Sequence, residues 1–159
     1  MKKLLSIILL LILCQSLRAQ TADELNTLGI KYAKKDKSDK AFSAFDKAIN
    51  LNPNLPGPYA NRGNIHRFRK EFELAIADYS KFLELSPDNI DVLYARAGVY
   101  KGVKEFQKAI SDYSKVIEIK PSFEDIFFDR AYSYIRIEDY ENAKNDLESQ
   151  LKISPKDFK

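Results

Sequence analysis

Through residues 22–157 apolar and aromatic side chains recur at three- and four-residue steps, in runs separated by short polar stretches. Tyr94, Ala97, Val99 and Tyr100 form one such stripe, and Ala109, Ile110, Tyr113, Val116 and Ile117 form the next. That period places one face of an α-helix against a core. Between the stripes lies a polar turn closed by an aromatic: Lys70-Glu71-Phe72, Lys104-Glu105-Phe106 and Glu138-Asp139-Tyr140, with Ser38 taking the aromatic's place nearer the N-terminus. A proline follows every second stripe and stops its helix, because it cannot continue the hydrogen-bond ladder. The pattern predicts a succession of helix-turn-helix pairs and no strands.

The pairs are copies of one unit. Ala75–Pro87 aligned with Ala109–Pro121 at an offset of 34 gives eight identities in thirteen positions. The same offset relates Ala41, Ala75, Ala109 and Ala143; Phe45, Tyr79, Tyr113 and Leu147; Pro53, Pro87, Pro121 and Pro155; and Gly29, Gly63, Ala97 and Ala131. Four units follow without insertion: 22–55, 56–89, 90–123 and 124–157. A small residue in the first helix facing a small Ala in the second lets the two backbones approach, and larger rings fill the flanks. A single pair cannot bury its apolar faces alone, whereas a stack of three or more buries a continuous core.

Counting positions from the start of each unit, the third supplies Leu93 at 4, Ala97 at 8, Tyr100 at 11, Ala109 at 20, Tyr113 at 24, Val116 at 27 and Pro121 at 32. This signature closely resembles the tetratricopeptide repeat family, over 22–157. The resemblance implies an all-α fold, a right-handed α-solenoid of four helix-turn-helix repeats whose first helices line a concave groove, and a function in protein binding. Two departures stand out. Position 27 is Ala48, Phe82 and Val116, then Gln150, and a polar side chain there suits a last helix whose outer face meets water. His66 replaces Tyr at position 11; as the only histidine, with no cysteine near it, it reads as a half-buried packing residue.

The first twenty residues stand outside this period. Lys2 and Lys3 precede an apolar run from Leu4 to Leu13 broken by Ser6, and Ala19 is a small residue at a signal-peptidase cut. The run is well short of the ~20 residues a membrane span needs. Residues 1–19 therefore read as a signal peptide and the protein as exported, periplasmic or secreted. The alternatives are an uncleaved N-terminal anchor or a lipid on Cys14, the only cysteine; Leu13 before it is a poor lipoprotein signal. Membrane contact is expected through this segment alone. Its removal also takes away Lys2, Lys3 and Arg18 and no acid, which accounts for the whole formal charge of +3. The remaining chain is formally neutral and lacks the one-signed footprint of a nucleic-acid binder.

No catalytic constellation emerges. The single His occupies a packing position, glycines such as Gly57 and Gly63 stand alone, and acids such as Asp78, Asp112 and Asp146 recur with the repeat. No enzyme activity, cofactor, metal or small-molecule substrate is expected. Carried over from the family's groove positions 5, 9, 12 and 13, the second unit offers Ala60, Asn64, Arg67 and Phe68. The third offers Tyr94, Gly98 and Lys101, and the fourth Phe128, Tyr132, Ile135 and Arg136. A binding strip of Asn64, Arg67, Tyr94, Lys101, Phe128 and Tyr132 is the expectation, with a peptide or protein ligand that is extended, largely apolar and partly acidic. The chaperone-binding clamp of the family is absent, since its Lys and Asn positions carry Asn26 and Ile30, then Asn61, then Asp91 and Ala95. The alternative is a spacer or self-associating scaffold of an envelope complex that uses its convex face or its ends.

One further pattern is internal. Position 7 is Leu28, Arg62, Arg96 and Arg130, and position 23 is Ala44, Asp78, Asp112 and Asp146. Arginine and aspartate come and go together, which predicts contacts within units: Arg62–Asp78, Arg96–Asp112 and Arg130–Asp146. The N-terminal reading carries its own test: the intact mass of the exported protein is expected to correspond to a chain beginning at Gln20, and a species retaining residues 1–19 or carrying lipid on Cys14 rejects it.

Overall fold

The structure is a computed structural model describing residues 20–123 and 125–153. The signal segment expected at 1–19, Cys14 with it, and Pro155 lie outside the described residues. Among the described residues eight α-helices follow in chain order: α1 Ala22–Ala33, α2 Ser38–Leu51, α3 Pro56–Phe68, α4 Phe72–Leu85, α5 Ile90–Gly102, α6 Phe106–Ile119, α7 Ile126–Arg136 and α8 Tyr140–Ile153. Each packs chiefly on its neighbours in the chain, within and between units, which makes the molecule an all-α solenoid.

The ends of the helices show why this sequence breaks where it does. Thr21 and Glu24 form a reciprocal cap on α1: Thr21 Oγ1 accepts from the Glu24 N–H at 3.2 Å, and Glu24 Oε2 accepts from the Thr21 N–H at 2.9 Å. Pro56 sits in the first turn of α3, where its missing N–H costs nothing. Each first helix ends in the same way. The residue at position 15 turns left-handed, at Asp36 (φ 54), Lys70 (φ 61), Lys104 (φ 65) and Glu138 (φ 64). The N–H of the next residue then reaches back to the carbonyl of position 11, as Glu105 does to Tyr100 at 2.8 Å and Asp139 to Tyr134 at 3.0 Å. None of these four residues is glycine, so each turn holds a side chain in a disfavoured region. The second helices stop two residues before the proline. Asn52, Ser86 and Lys120 leave helical geometry, at φ −143, −146 and −144, because the proline ring excludes it from the residue before it.

The helices of a unit meet at positions 8 and 24. Phe45, Tyr79 and Tyr113 lie fully buried across the small residue of the first helix. A Cβ on Gly29 would collide with the Phe45 ring, and one on Gly63 would stand 2.9 Å from Tyr79 Cε1. These glycines are packing glycines. Above them Tyr59, Leu93, Val99, Tyr100 and Ile126 join one core that runs through units two to four.

The arginine of position 7 makes a bidentate pair with position 23 of its own unit. Arg62 Nε and Nη2 donate to Asp78 at 2.9 and 2.8 Å; Arg96 reaches Asp112 at 2.8 and 2.8 Å; Arg130 reaches Asp146 at 2.8 and 2.7 Å. The third nitrogen, Nη1, crosses to position 25 of the preceding unit. It donates to Asp46 at 2.8 Å, to Ser80 at 2.9 Å and to Ser114 at 2.8 Å. One guanidinium thus ties together α2, α3 and α4; the next ties α4, α5 and α6; the last ties α6, α7 and α8. The three aspartates are buried, so each charge stands where only a fork-shaped partner can satisfy it.

Gln150 differs from the expectation of a water-facing position. It is only 3% exposed. The first unit shows why: Ala48, its counterpart, packs on Ala22 and Leu25, so position 27 faces the base of its own unit's first helix. Its Oε1 has no hydrogen-bond partner in the described structure.

Two measurements of thermal or urea unfolding follow. Asp112→Ala leaves the half-buried Arg96 uncompensated and is expected to destabilise by about 3 kcal/mol, against under about 1 kcal/mol for an exposed pair. Gln150→Leu removes an orphan acceptor at similar volume and is expected to stabilise by about 1 kcal/mol or more.

Candidate functional site

The first helices of the units carry the site. Three depressions follow one another along the α1, α3, α5 and α7 side. The first, of about 450 Å³, lies between α1 and α3 and is walled by Ile30, Phe45, Ile65 and Phe68. The second, of about 490 Å³, spans α3, α5 and α7 and includes Asn64, Arg67, Tyr94 and Lys101. The third, of about 350 Å³, lies between α5 and α7 and includes Lys101, Phe128 and Tyr132. Asn64 borders the first two, and Gly98, Lys101 and Asp129 border the last two, so the depressions are continuous.

All six candidate residues therefore line one surface, but with different degrees of freedom. Asn64 accepts a hydrogen bond of 2.7 Å from the Tyr79 hydroxyl, which fixes its amide, while Arg67 is exposed beside it. Tyr94 is half-buried. Its ring lies 5.8 Å from Tyr113 and 5.1 Å from Phe123, and its hydroxyl donates to Asp129 Oδ2 at 2.6 Å. It fills the joint between units. Phe128 and Tyr132 remain 50% and 44% exposed and line the third depression. Lys101 is tethered: its Nζ donates to Asp129 Oδ1 at 2.5 Å and sits 5.6 Å from the Tyr132 ring. Ala60, also a groove position by the family pattern, packs instead against the core.

Asp129 is the group that sequence reading missed. At position 6, it receives Tyr94 from position 5 of the preceding unit, 35 residues earlier. The same relation recurs where Asn61 Nδ2 donates to Asn26 Oδ1 at 3.0 Å. Between these two links the corresponding residues are Ala60 and Ala95. The pairs change character together, Asn with Asn, Ala with Ala, Tyr with Asp, and that joint change was the available signal. It appears only at an offset of 35, one residue away from the repeat itself.

His66 is buried at the back of α3. Its ring meets Phe42 edge-on at 5.3 Å, and Nδ1 lies 2.5 Å from Glu71 Oε2. It ties the first two units together and does not line the groove depressions.

A stack of helical hairpins with a continuous groove along its first helices defines the class of repeat solenoids that hold other proteins. The tetratricopeptide repeat profile matches residues 25–55, 57–89, 90–123 and 124–157, and the chain belongs to that family. Its members serve as protein–protein interaction modules and are typically non-catalytic scaffolds. Among solved structures, a crystal structure of MamA protein is similar with a TM-score of 0.78 at 24% identity, covering 85% of this chain and 74% of that one. A tetratricopeptide repeat protein from Parabacteroides merdae also gives a TM-score of 0.78 at 24% identity, covering 88% of this chain and 56% of that one. At these identities the likeness is one of fold. The tetratricopeptide repeat domain-containing protein PYG7, chloroplastic, of Arabidopsis thaliana is 34% identical over 55 residues. That stretch is 35% of this chain and spans only 18% of the plant protein.

The aromatic joint has a pH signature. Burial raises Tyr94 above its ordinary value of 10.0, helped by Asp129 and Asp125. Burial raises Tyr113 likewise, with Asp129, Tyr94 and Asp112 adding to it, and it raises Tyr79 against the lowering pull of Arg67. A raised tyrosine favours the neutral form in the folded state. Its contribution is complete below about pH 10 and declines as pH rises beyond that. Stability measured by urea midpoints is expected to be level in this respect below pH 10 and to fall above it, with phenolate absorbance from the last tyrosines emerging only as the helices melt.

Proposed function

We propose that this is an exported interaction module whose concave groove holds an extended segment of a partner protein. The continuity of the three depressions along α1, α3, α5 and α7 carries the reading, because an extended chain needs an unbroken track and adjoining depressions offer one. The track carries two exposed aromatics, Phe128 and Tyr132, and aromatic anchors commonly supply most of an interface's free energy. Asn64 and Arg67 offer polar and charged groups to a passing backbone or side chain. Export rests on the N-terminal charge, apolar run and Ala19, and places the partner outside the cytoplasm.

The test is site-specific photo-crosslinking in cells that produce the protein. A photoreactive residue replacing Tyr132, on the groove, is expected to give a discrete partner adduct, and one replacing Ser111, exposed on α6, is expected to give none. Adducts from Ser111 alone transfer function to the convex face and support the spacer reading instead. Substitutions separate the aromatics further. Phe128→Ala and Tyr132→Ala are expected to abolish the adduct of a photoreactive residue placed instead at Phe68, 87% exposed in the first depression, with melting unchanged, while Tyr94→Ala lowers the melting temperature, because its ring and hydroxyl both join units.

A further inference from the structure

The third depression differs from the others in its chemistry. Its walls are Phe128 and Tyr132 from α7 and Phe106 from the start of α6, and its floor is the α5 backbone at Gly98. Lys104 and Arg136 stand on its rim. The charges deeper in the pocket cancel: Asp129 is held by Lys101 at 2.5 Å and by the Tyr94 hydroxyl at 2.6 Å. Glu105, next to Lys104 in the chain, is engaged by Lys108 at 2.6 Å. Lys104 and Arg136 have no carboxylate within ion-pair distance among the described residues; Arg136 lies 5.2 Å over the Phe106 ring. The pocket therefore joins an apolar, aromatic interior to two cations without a counter-charge.

Gly98 adds a separate observation. It lies inside α5, where glycine weakens a helix. Gly29 and Gly63 are enforced by the rings beneath them, but a Cβ on Gly98 would meet nothing within 4 Å. Packing inside this chain gives no reason for glycine there. A ligand that lies against the α5 backbone does.

We infer, on the groove reading above, that this pocket is the anchor site for an acidic segment of the partner: an aromatic or branched apolar side chain enters between Phe128 and Tyr132, and an adjacent Asp or Glu pairs with Lys104 and Arg136. Its volume of about 350 Å³ accommodates one large side chain with part of its backbone. Lys104 and Arg136 are exposed, and a ligand that fills the pocket displaces water beside them, which strengthens their pairing with its carboxylate. The aromatic faces accept an apolar group, and the Phe106 ring holds Arg136 near its π-cloud.

The probe is a library of random dodecamers fused through their C-termini to a phage coat protein, so that any carboxylate selected is a side chain. Panned on the purified protein, it is expected to enrich peptides with an aromatic or branched residue within two positions of Asp or Glu. A synthetic winner, amidated at its C-terminus, should lose at least tenfold in affinity when its acid becomes the corresponding amide, and equally on the Lys104→Glu/Arg136→Glu protein. Gly98→Leu should lose the peptide as well, with a melting temperature no lower than that of the parent, since nothing stands where the side chain goes. The charge-reversed protein, panned afresh, should select Lys and Arg at the acid's place. Neutral winners, or winners indifferent to Gly98→Leu and to charge reversal, overturn the anchor. If such winners still depend on Asn64 or Arg67, the groove reading stands without it. Absence of any enrichment overturns the anchor, and with no adduct from Tyr132 it overturns the groove as well.

Discussion

Everything in this molecule follows from how closely two helices of a unit can approach. A missing or minimal side chain at position 8 and an aromatic ring laid across it at position 24 bring α1 to α2 and α3 to α4, Ala97 and Tyr113 repeat this in the third unit, and in the fourth Leu147 takes the ring's place opposite Ala131. Close approach leaves each hairpin with two wide apolar faces, too exposed for a pair of short helices to stand alone in water. Stacking is the consequence. Because the 34-residue spacing does not change, the first helices are left side by side on one surface.

The stack is then fixed in register by polar groups, since apolar faces alone are tolerant of sliding. Each position 7 arginine has its planar fork satisfied on one side by an aspartate of its own unit and on the other by an acceptor of the preceding one. A shift between units leaves Nη1 of a half-buried guanidinium without its acceptor in the preceding unit, and an unmade hydrogen bond there costs more than the bond contributes when made. On the groove side the links from position 5 to position 6 of the next unit play a similar part with weaker groups, ending in the Tyr94–Asp129–Lys101 cluster. Local rules bend to this arrangement: at position 15 of every unit a non-glycine residue accepts left-handed geometry, because the turn it makes sets the angle at which the second helix returns.

A rigid register gives a groove with a shape of its own, and its two ends differ. The α1–α3 end is more apolar and carries Phe68, 87% exposed; the α5–α7 end combines aromatic walls with a cationic rim. A segment lying along such a track meets a direction as well as a surface. The chemistry that discriminates partners sits on side chains the fold does not need, among them Phe128, Arg136 and Lys104, and on Gly98, a residue whose smallness the fold does not need.

The sequence alone determined the helices, the period, the four units, and the Arg–Asp pairs as contacts to be expected, because those features are local or repeat at a fixed offset and so can be compared within one chain. It also named six residues of one surface. Only the tertiary structure separated Tyr94, locked into the joint by Tyr113, Phe123 and Asp129, from Phe128 and Tyr132, which face solvent. Only it showed the third nitrogen of each arginine reaching the preceding unit, Asp129 collecting two groups from α5, and Gln150 turned inward. The reason is geometric: these depend on how far one helical pair is rotated against the next, and a pattern written in each pair separately holds no record of that angle.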